Sequence, residues 1–413
     1  MTLDGSSRRG YLDEVVAILW PPPARGHVGR GHGHGTGELV ARFVLVPDAS
    51  RPRLLVPEAA PRAAAAAVRR YTAHRSPRML LGAGLLAAIF ATGMSSVLLR
   101  DRLRVYRPAG GTAGTIGTIE TYLRGALGRD LLLSLHIGRP RANRKPVLHA
   151  LRPDGESLGF VKVGINPLTS ELVRAEAEAL RTLGRAGLRA ITVPGVLHHG
   201  RWNDLEILVQ SALPVWGARA RDGARDGRRL AAMRELAEIR GVRTEPADAS
   251  SYPRRLARRL GDVPDREAAG VVRGAIERAV ADGEPLPMGA WHGDWTPWNM
   301  AVTPDSVLVW DWERFALDVP VGFDALHYVL QELRAGGVEA ARRGAEHCIQ
   351  RAPDILGPFG LAAPAARRVA VLYLAEIATR YLLDDQAEAG ARLGRLDRWL
   401  LPVLSSAEAN PKD

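Results

Sequence analysis

"WHGDWTPWNM", residues 291–300, is the stretch on which the reading of this chain turns. His292 stands two residues before Asp294, and Asn299 follows Asp294 by five. Soon after comes "VLVWDWE", 307–313, an aliphatic run ending on Asp311 among tryptophans. One Asp, one Asn and a second Asp after a strand-like run make an oxygen-rich set of unlike members.

That set suits a metal–nucleotide site. Mg2+ takes hard oxygen ligands and few protein groups, because phosphates and waters complete its octahedron. Asn299 offers an amide oxygen and Asp311 a carboxylate. Asp294 is then available to accept a hydrogen bond from an attacking hydroxyl, the division of work found in phosphoryl transfer. Such chemistry also needs a strand lysine for the α- and β-phosphates, paired with a helix glutamate. Lys162 lies in "GFVKVG", the one lysine centred in an apolar strand. The helical run after it carries Glu171, Glu176 and Glu178. Glu176 is preferred, because Leu180 and Leu183 share its face at helical spacing. Glu313 reads as a supporting residue behind the metal rather than a ligand.

The order Lys162, Glu176, a strand ending in "LVQSALP", "HGDWTPWN" and "VWDWE" resembles the aminoglycoside phosphotransferase and choline kinase-like family. The resemblance covers roughly 118–400, and "PVGFDALHY" matches the segment after the metal Asp, where Asp324 has a structural part. It implies an α+β, bilobal protein-kinase-like fold, with a sheet-rich N-lobe and a helical C-lobe. It implies ATP or GTP as donor, Mg2+ as cofactor and a small-molecule hydroxyl as acceptor. By the same resemblance Asp294 is the catalytic base, His292 braces its loop, and Asn299 and Asp311 hold the metal. Lys162 and Glu176 serve the phosphates, and the backbone near Gln210 and Ala212 reads the base. The loop at 137–145 lacks the Gly-x-G-x-x-Gly pattern of protein kinases, which this family tolerates.

Outward from these blocks, 131–164 reads as a three-stranded meander, followed by an amphipathic helix from "LTSELVRAEAEALRTL". Residues 215–290 and 318–402 read as helical. The expected division is 118–212 for the nucleotide lobe and 213–413 for the lobe with catalytic loop, metal and acceptor site. Residues 1–108 have no counterpart in the resemblance and are expected to form a separate small α/β unit. There "YLDEVVAILW", "ELVARFVLVP" and "RPRLLVP" read as strands, and "AAPRAAAAAVRRY" as a helix. The glycine loop at 26–37 carries His27, His32 and His34; alternating glycines give no rigid frame for a metal, so it reads as a loop. "PAGGTAGTIGT", 108–118, is a linker, and without a following Gly-Lys-Ser/Thr it is no Walker A loop.

Residues 79–99 carry no charge and are long enough to span a bilayer. Three glycines, two serines and a threonine dilute that run, so burial in protein is favoured over membrane contact. The net charge of +11 suggests nucleic acid, but all but three of the 56 basic residues are arginines spread along the chain. That is a compositional bias rather than a binding stripe, and no nucleic-acid partner is expected. A single cysteine, Cys348, excludes an internal disulfide and fits a reducing, cytoplasmic setting.

The acceptor is the least legible part. Arginines crowd the acids of 215–285 and 335–400, which leans away from a strongly cationic antibiotic toward a sugar, a polyol, or a hydroxylated or anionic metabolite, with an aminoglycoside-like acceptor kept among the candidates. Trp295, next to the base, is expected near the acceptor, and the other tryptophans of 291–312 in the core. Two alternatives stay open: a non-catalytic nucleotide-binding pseudokinase, and a membrane-surface kinase for a lipid-linked or glycoconjugate acceptor.

Overall fold

A computed structural model of the chain describes residues 3–30, 37–72, 77–108, 117–138, 141–215, 222–248 and 250–407. It is an α+β protein that divides into two compact units. The first holds Met1–Pro140, Arg144–Ala177 and Pro194–Trp216; the second holds Arg141–Asn143, Glu178–Val193 and Gly217–Asp413.

The first unit is built on strands β1 (Arg25–Arg30), β2 (Glu38–Val46), β3 (Leu54–Pro57), β4 (Asp101–Arg107), β5 (Leu132–His136), β6 (Val147–Leu151) and β7 (Ser157–Gly164). Short β8 (Ile191–Thr192) belongs to the second unit, whereas β9 (Val196–Trp202) and β10 (Leu205–Gln210) complete the first. The nine strands form one sheet in the order β1-β4-β2-β3-β5-β6-β7-β10-β9. Asn203 and Asp204, both at positive φ, turn β9 into β10, a conformation that Asn and Asp tolerate in tight hairpins.

Strand alternation gives the sheet two apolar faces. On one, Phe43, Leu45, Leu103, Leu133, Leu148, Val161 and Val209 pack with Leu12, Val15 and Leu19 of helix α1 (Leu3–Leu19). On the other, Val44, Leu54, Val56 and Leu151 pack beneath α2 (Pro61–Thr72) and α3 (Pro77–Ala91) through Ala63, Ala64, Ala67, Val68, Ala87 and Phe90.

Three expectations for this region change. "YLDEVVAILW" is helix, not strand: buried Leu12, Val15, Val16 and Leu19 recur at helical spacing, and that period outweighs the β-branched composition. His27 lies on β1, paired with Arg104, whereas His32 and His34 fall outside the described residues. Residues 1–108 do not stand apart either. Leu54 pairs with His136 and Leu55 with Leu135, so strands from both sides of the expected boundary share one sheet and one core. The stretch 79–99 forms α3 and the short α4 (Ser95–Leu98); Ala87 and Phe90 are buried, while Leu85, Met94 and Leu98 are exposed.

Helices α5 (Ile119–Leu127) and α6 (Pro167–Gly184) follow, then α7 (Asp222–Ala237), α8 (Ser251–Arg259) and α9 (Arg266–Val280). The second unit also contains β11 (Arg243–Pro246) and β12 (Pro285–Trp291), in a span expected to be wholly helical. The β13 (Met300–Val302) to β14 (Val307–Val309) hairpin comes next, with β8 parallel to β14, and β15 (Ala316–Pro320) then pairs with β12. Helices α10 (Phe323–Leu333), α11 (Val338–Gln350), α12 (Ala352–Leu356), α13 (Ala363–Leu383) and α14 (Leu400–Ser406) close the unit. Tyr373 and Leu374 of α13 are fully buried. Among the described residues no single helix is long and apolar enough to cross a membrane; the pair Ala352–Phe359 and Ala363–Leu383, bent by 103°, passes on length and composition together.

Candidate active site

The site of the second unit begins where β12 runs out. Its last residue is Trp291, and the chain then turns through His292, Gly293 and Asp294. Gly293 has φ +83°, and a Cβ there would strike the Arg314 carbonyl, so the close approach requires glycine. The loop returns as β13, and the β13–β14 hairpin aligns its two ends: Trp310 N donates to Asn299 O at 3.0 Å. Asp311 follows directly at φ +74°. A non-glycine residue rarely adopts that region, and such outliers gather at functional sites.

Asn299 and Asp294 are joined. Asn299 Nδ2 donates to Asp294 O at 3.0 Å and to Asp294 Oδ2 at 2.9 Å. With the amide nitrogen so engaged, Oδ1 is the atom that Asn299 has for a cation.

His292 braces this loop as a neutral ring. Asp294 N donates to His292 Nδ1 at 3.0 Å, and His292 Nε2 lies 3.1 Å from Trp310 O. Those partners fix one tautomer, with the proton on Nε2. Burial pushes His292 down to about 4, against the pull of Asp294 and Asp311. Asp324, at the start of α10, accepts from His292 N at 2.7 Å and Gly293 N at 3.2 Å. Burial raises its carboxyl to about 7 despite those donors. Arg380 of α13 donates to Gly293 O at 2.6 Å. The strap before Asp294 is thus tied on both sides.

Sequence reasoning missed His327, Tyr373 and Gln331. His327 Nε2 meets Asp294 Oδ1 at 3.0 Å, and His327 Nδ1 meets the Tyr373 hydroxyl at 3.0 Å. Tyr373 therefore donates to Nδ1, and Nε2–H donates to Asp294. The Gln331 amide nitrogen lies 3.0 Å from the same Nε2, and its Oε1 has no partner among the described residues. Turning that amide lets Oε1 share the Nε2–H that Asp294 already accepts. Burial tends to raise Asp294, but the hydrogen bond from His327 outweighs it and holds the carboxyl below its usual range. Its side chain is 34% exposed, so solvent reaches the carboxylate. The available signal was spacing: His327 lies one helical turn after Asp324 in "FDALHY".

The aromatic expectations change as well. Trp295 is fully buried, with Nε1 on Met300 Sδ at 3.1 Å, so it is core rather than acceptor wall. Trp312 is likewise core, with Nε1 on Val309 O at 2.9 Å, whereas Trp298 is 49% exposed. Glu313 is buried and accepts from Asn143 Nδ2 at 3.1 Å.

The first unit holds the other expected residues. Lys162 Nζ meets both oxygens of Glu176 at 2.6 Å, and both side chains are buried. Glu178 is exposed. Gln210 is buried at the end of β10, and its Oε1 has no partner among the described residues. Near Ala212 a cavity of about 510 Å3 is lined by Arg70, His149, Ser157 and Leu213. Arg70, from α2, donates to Leu213 O at 3.2 Å and lies 5.0 Å from the Phe160 ring centre. His149 stacks on the same ring at 4.7 Å and 11°. Burial lowers Arg70 to about 10 and His149 to about 3. Phe160 and Lys162 point to the same face of β7, because Val161 and Val163 fill the opposite core. Helix α2 thus packs on the face that carries the lysine.

No family model matches the chain, and no curated protein matches it. Among solved structures it is similar to a macrolide 2'-phosphotransferase from Brachybacterium faecium, at 20% identity over 71% of this chain and 98% of that one, with a TM-score of 0.40. It is similar to a choline/ethanolamine kinase family protein from Mesorhizobium loti, at 19% identity over 64% and 85%, with a TM-score of 0.41. It is also similar to a spectinomycin phosphotransferase in complex with ADP and spectinomycin, at 14% identity over 71% and 98%, with a TM-score of 0.41. At these values the likeness assigns no role to any residue of this chain.

Proposed function

We propose that this protein transfers the terminal phosphoryl group of ATP or GTP to a hydroxyl of a small molecule. The observation that carries the reading is the joined set Asp294–Asn299, with Asp311 delivered beside it by the β13–β14 hairpin. It groups a solvent-reached carboxylate, an amide oriented by that carboxylate, and a second carboxylate on a strained backbone.

Asp294 accepts the proton of the acceptor hydroxyl. The hydroxyl oxygen bonds to the γ-phosphorus, the bond to the bridging oxygen breaks, and the nucleoside diphosphate leaves with that electron pair. A carboxylate held below its usual range orients the hydroxyl first and takes the proton late. Asn299 Oδ1 and Asp311 are the hard oxygens that fit Mg2+, which when bound supplies charge neutralisation on the phosphates. Lys162, kept in place by Glu176, is the cation for the phosphates. The base reads the end of β10, where Gln210 keeps an oxygen unpartnered among the described residues and Arg70 holds the Leu213 carbonyl. On this reading nucleotide and Arg70 compete for one carbonyl.

The test is release of ADP or GDP, in the presence of Mg2+, from each triphosphate with a panel of sugars, sugar acids, sugar phosphates, amino alcohols and aminosugars. Acceptor-dependent release that disappears in Asp311→Ala supports the reading. No release above the Asp311→Ala background with any member contradicts it.

A further inference from the structure

The second unit contains a cavity of about 750 Å3 walled by α8, β15 and α13. That volume falls within the roughly 300–1,000 Å3 usual for small-molecule sites. The cavity meets the segment before the proposed base through Trp291, and Asp294 itself is not in the lining. Trp291 lines it, and so do Arg314 and Arg380. Arg380 Nη1 holds Gly293 O at 2.6 Å, and the Arg314 carbonyl abuts Gly293 where a Cβ would sit.

Five arginines line this space, at 255, 258, 259, 314 and 380, against three carboxylates, at Asp262, Asp318 and Glu376. The ion pairs show which charges are already spent. Glu376 takes Arg259 at 2.9 Å and Arg380 at 3.8 Å. Arg314 pairs with Asp384, which is not in the lining. The Asp318 carboxylate is taken by Arg243, also from outside the lining. Arg255 reaches only uncharged oxygens, Ser251 Oγ at 2.8 Å and Asp318 O at 2.5 Å. Arg258 makes no ion pair among the described residues and is exposed. Arg255 and Arg258 are one helical turn apart on α8, so two guanidiniums outside any ion pair among the described residues share one face of the cavity, against the single carboxylate of Asp262 that is likewise in no such pair. Planar guanidinium forks match the oxygens of a phosphate or carboxylate and repel an ammonium group.

We propose that this cavity holds the phosphate acceptor, and that the acceptor is anionic, with a phosphate or carboxylate group on Arg255 and Arg258 and its hydroxyl toward Asp294. The inference rests on the phosphotransferase reading for the hydroxyl, and on the cavity alone for the anion.

Two measurements keep those parts separate. The first is isothermal titration of the full chain, without nucleotide, with glucose 6-phosphate, gluconate, glucose and glucosamine as probes at low salt. At least one anionic probe should bind tenfold or more tightly than glucose and glucosamine. Glucose 6-phosphate alone points to a phosphate site, and gluconate alone to a carboxylate site. Arg258→Ala should weaken that probe about tenfold, and Arg258→Lys much less. Equal binding of all four probes, binding of glucosamine alone, no binding of either anion, or an unaffected Arg258→Ala overturns the anion site. The second is ADP release with the same probes. Anion binding lost in Arg258→Ala but without ADP release from any acceptor contradicts the phosphotransferase reading and leaves the anion site standing. ADP release with glucosamine alone overturns the anionic acceptor.

Discussion

His327 Nε2 lies 3.0 Å from Asp294 Oδ1, and Asn299 Nδ2 lies 2.9 Å from Oδ2 of the same carboxylate. Asp294 is therefore held from α10 by one oxygen and from its own loop by the other. His327 itself is fixed by the Tyr373 hydroxyl of α13. The orientation of the proposed base depends on a residue well outside the HxD motif.

Removing His327 tests that dependence. Loss of a hydrogen bond to a charged group costs about 1.5–3 kcal/mol, which corresponds to roughly a ten- to hundredfold fall in kcat/KM. The hydrogen bond also lowers Asp294. His327→Ala should therefore move the acid limb of the kcat/KM profile to higher pH, with nucleotide affinity little changed. A fall in rate with the acid limb unmoved would reduce His327 to a packing role.

Acid sensitivity follows from His292. Its folded value is about 4 against an ordinary 6.5, so the unfolded chain binds the extra proton between those values. Stability is present above pH 6.5 and is lost as pH falls toward 4, by up to about 3 kcal/mol. His149, lowered to about 3, adds loss in the same direction. Urea denaturation at pH 7 and pH 4.5 reads the difference, and His292→Gln should shrink it. Equal midpoints at the two pH values would show that these rings are not buried as neutral groups.

Arg70 competes with the nucleotide on the proposed reading. It holds Leu213 O and lies over Phe160 on the Lys162 face. Arg70→Ala should bind MgATP about two- to twelvefold more tightly, since releasing one hydrogen bond is worth roughly 0.5–1.5 kcal/mol. Unchanged or weaker affinity would put the base somewhere other than the end of β10.

Much of the grouping at the candidate site was legible in the sequence, because the proposed phosphoryl transfer calls for fixed residue types at fixed spacing. Asp294, Asn299 and Asp311 come together as spacing suggested, and the choice of Glu176 over Glu178 followed from helical facing. What escaped was long-range. Nothing local to "DRLRVYR" says that it enters the sheet between β1 and β2, although Leu103 and Val105 alternate with Arg102 and Arg104. The glycine-rich stretch at 108–118 reads as a boundary, yet β3 pairs with β5 across it. Pairing partners far apart in sequence leave no mark in a local window. Trp295 was misjudged because adjacency to Asp294 says nothing about which way its side chain points; its indole is buried on Met300.

The shared sheet changes what truncation should do. A chain beginning at residue 117 lacks α1 and β1–β4, and with them Leu12, Val15, Leu19 and Phe43 from the core that Ile119 and Leu133 share. It also strips Glu120 of the Trp20 indole that donates to it at 2.9 Å. Each large apolar side chain so exposed forfeits roughly 1.5–3 kcal/mol, and typical stability is about 5–15 kcal/mol. The truncated chain should be insoluble or show no cooperative thermal transition. A soluble fragment with a sharp transition would restore residues 1–108 as a separate unit.

The central claim is that Asp294 is the base of a phosphoryl transfer. Asp294→Asn keeps the shape of the side chain and removes its charge. Measured with the best acceptor of the panel, kcat should fall by about 10²–10⁴-fold, while MgATP still binds by titration and thermal unfolding stays cooperative. A variant that retains more than about a tenth of the wild-type kcat would contradict the account, because no general base of that magnitude could then reside at Asp294.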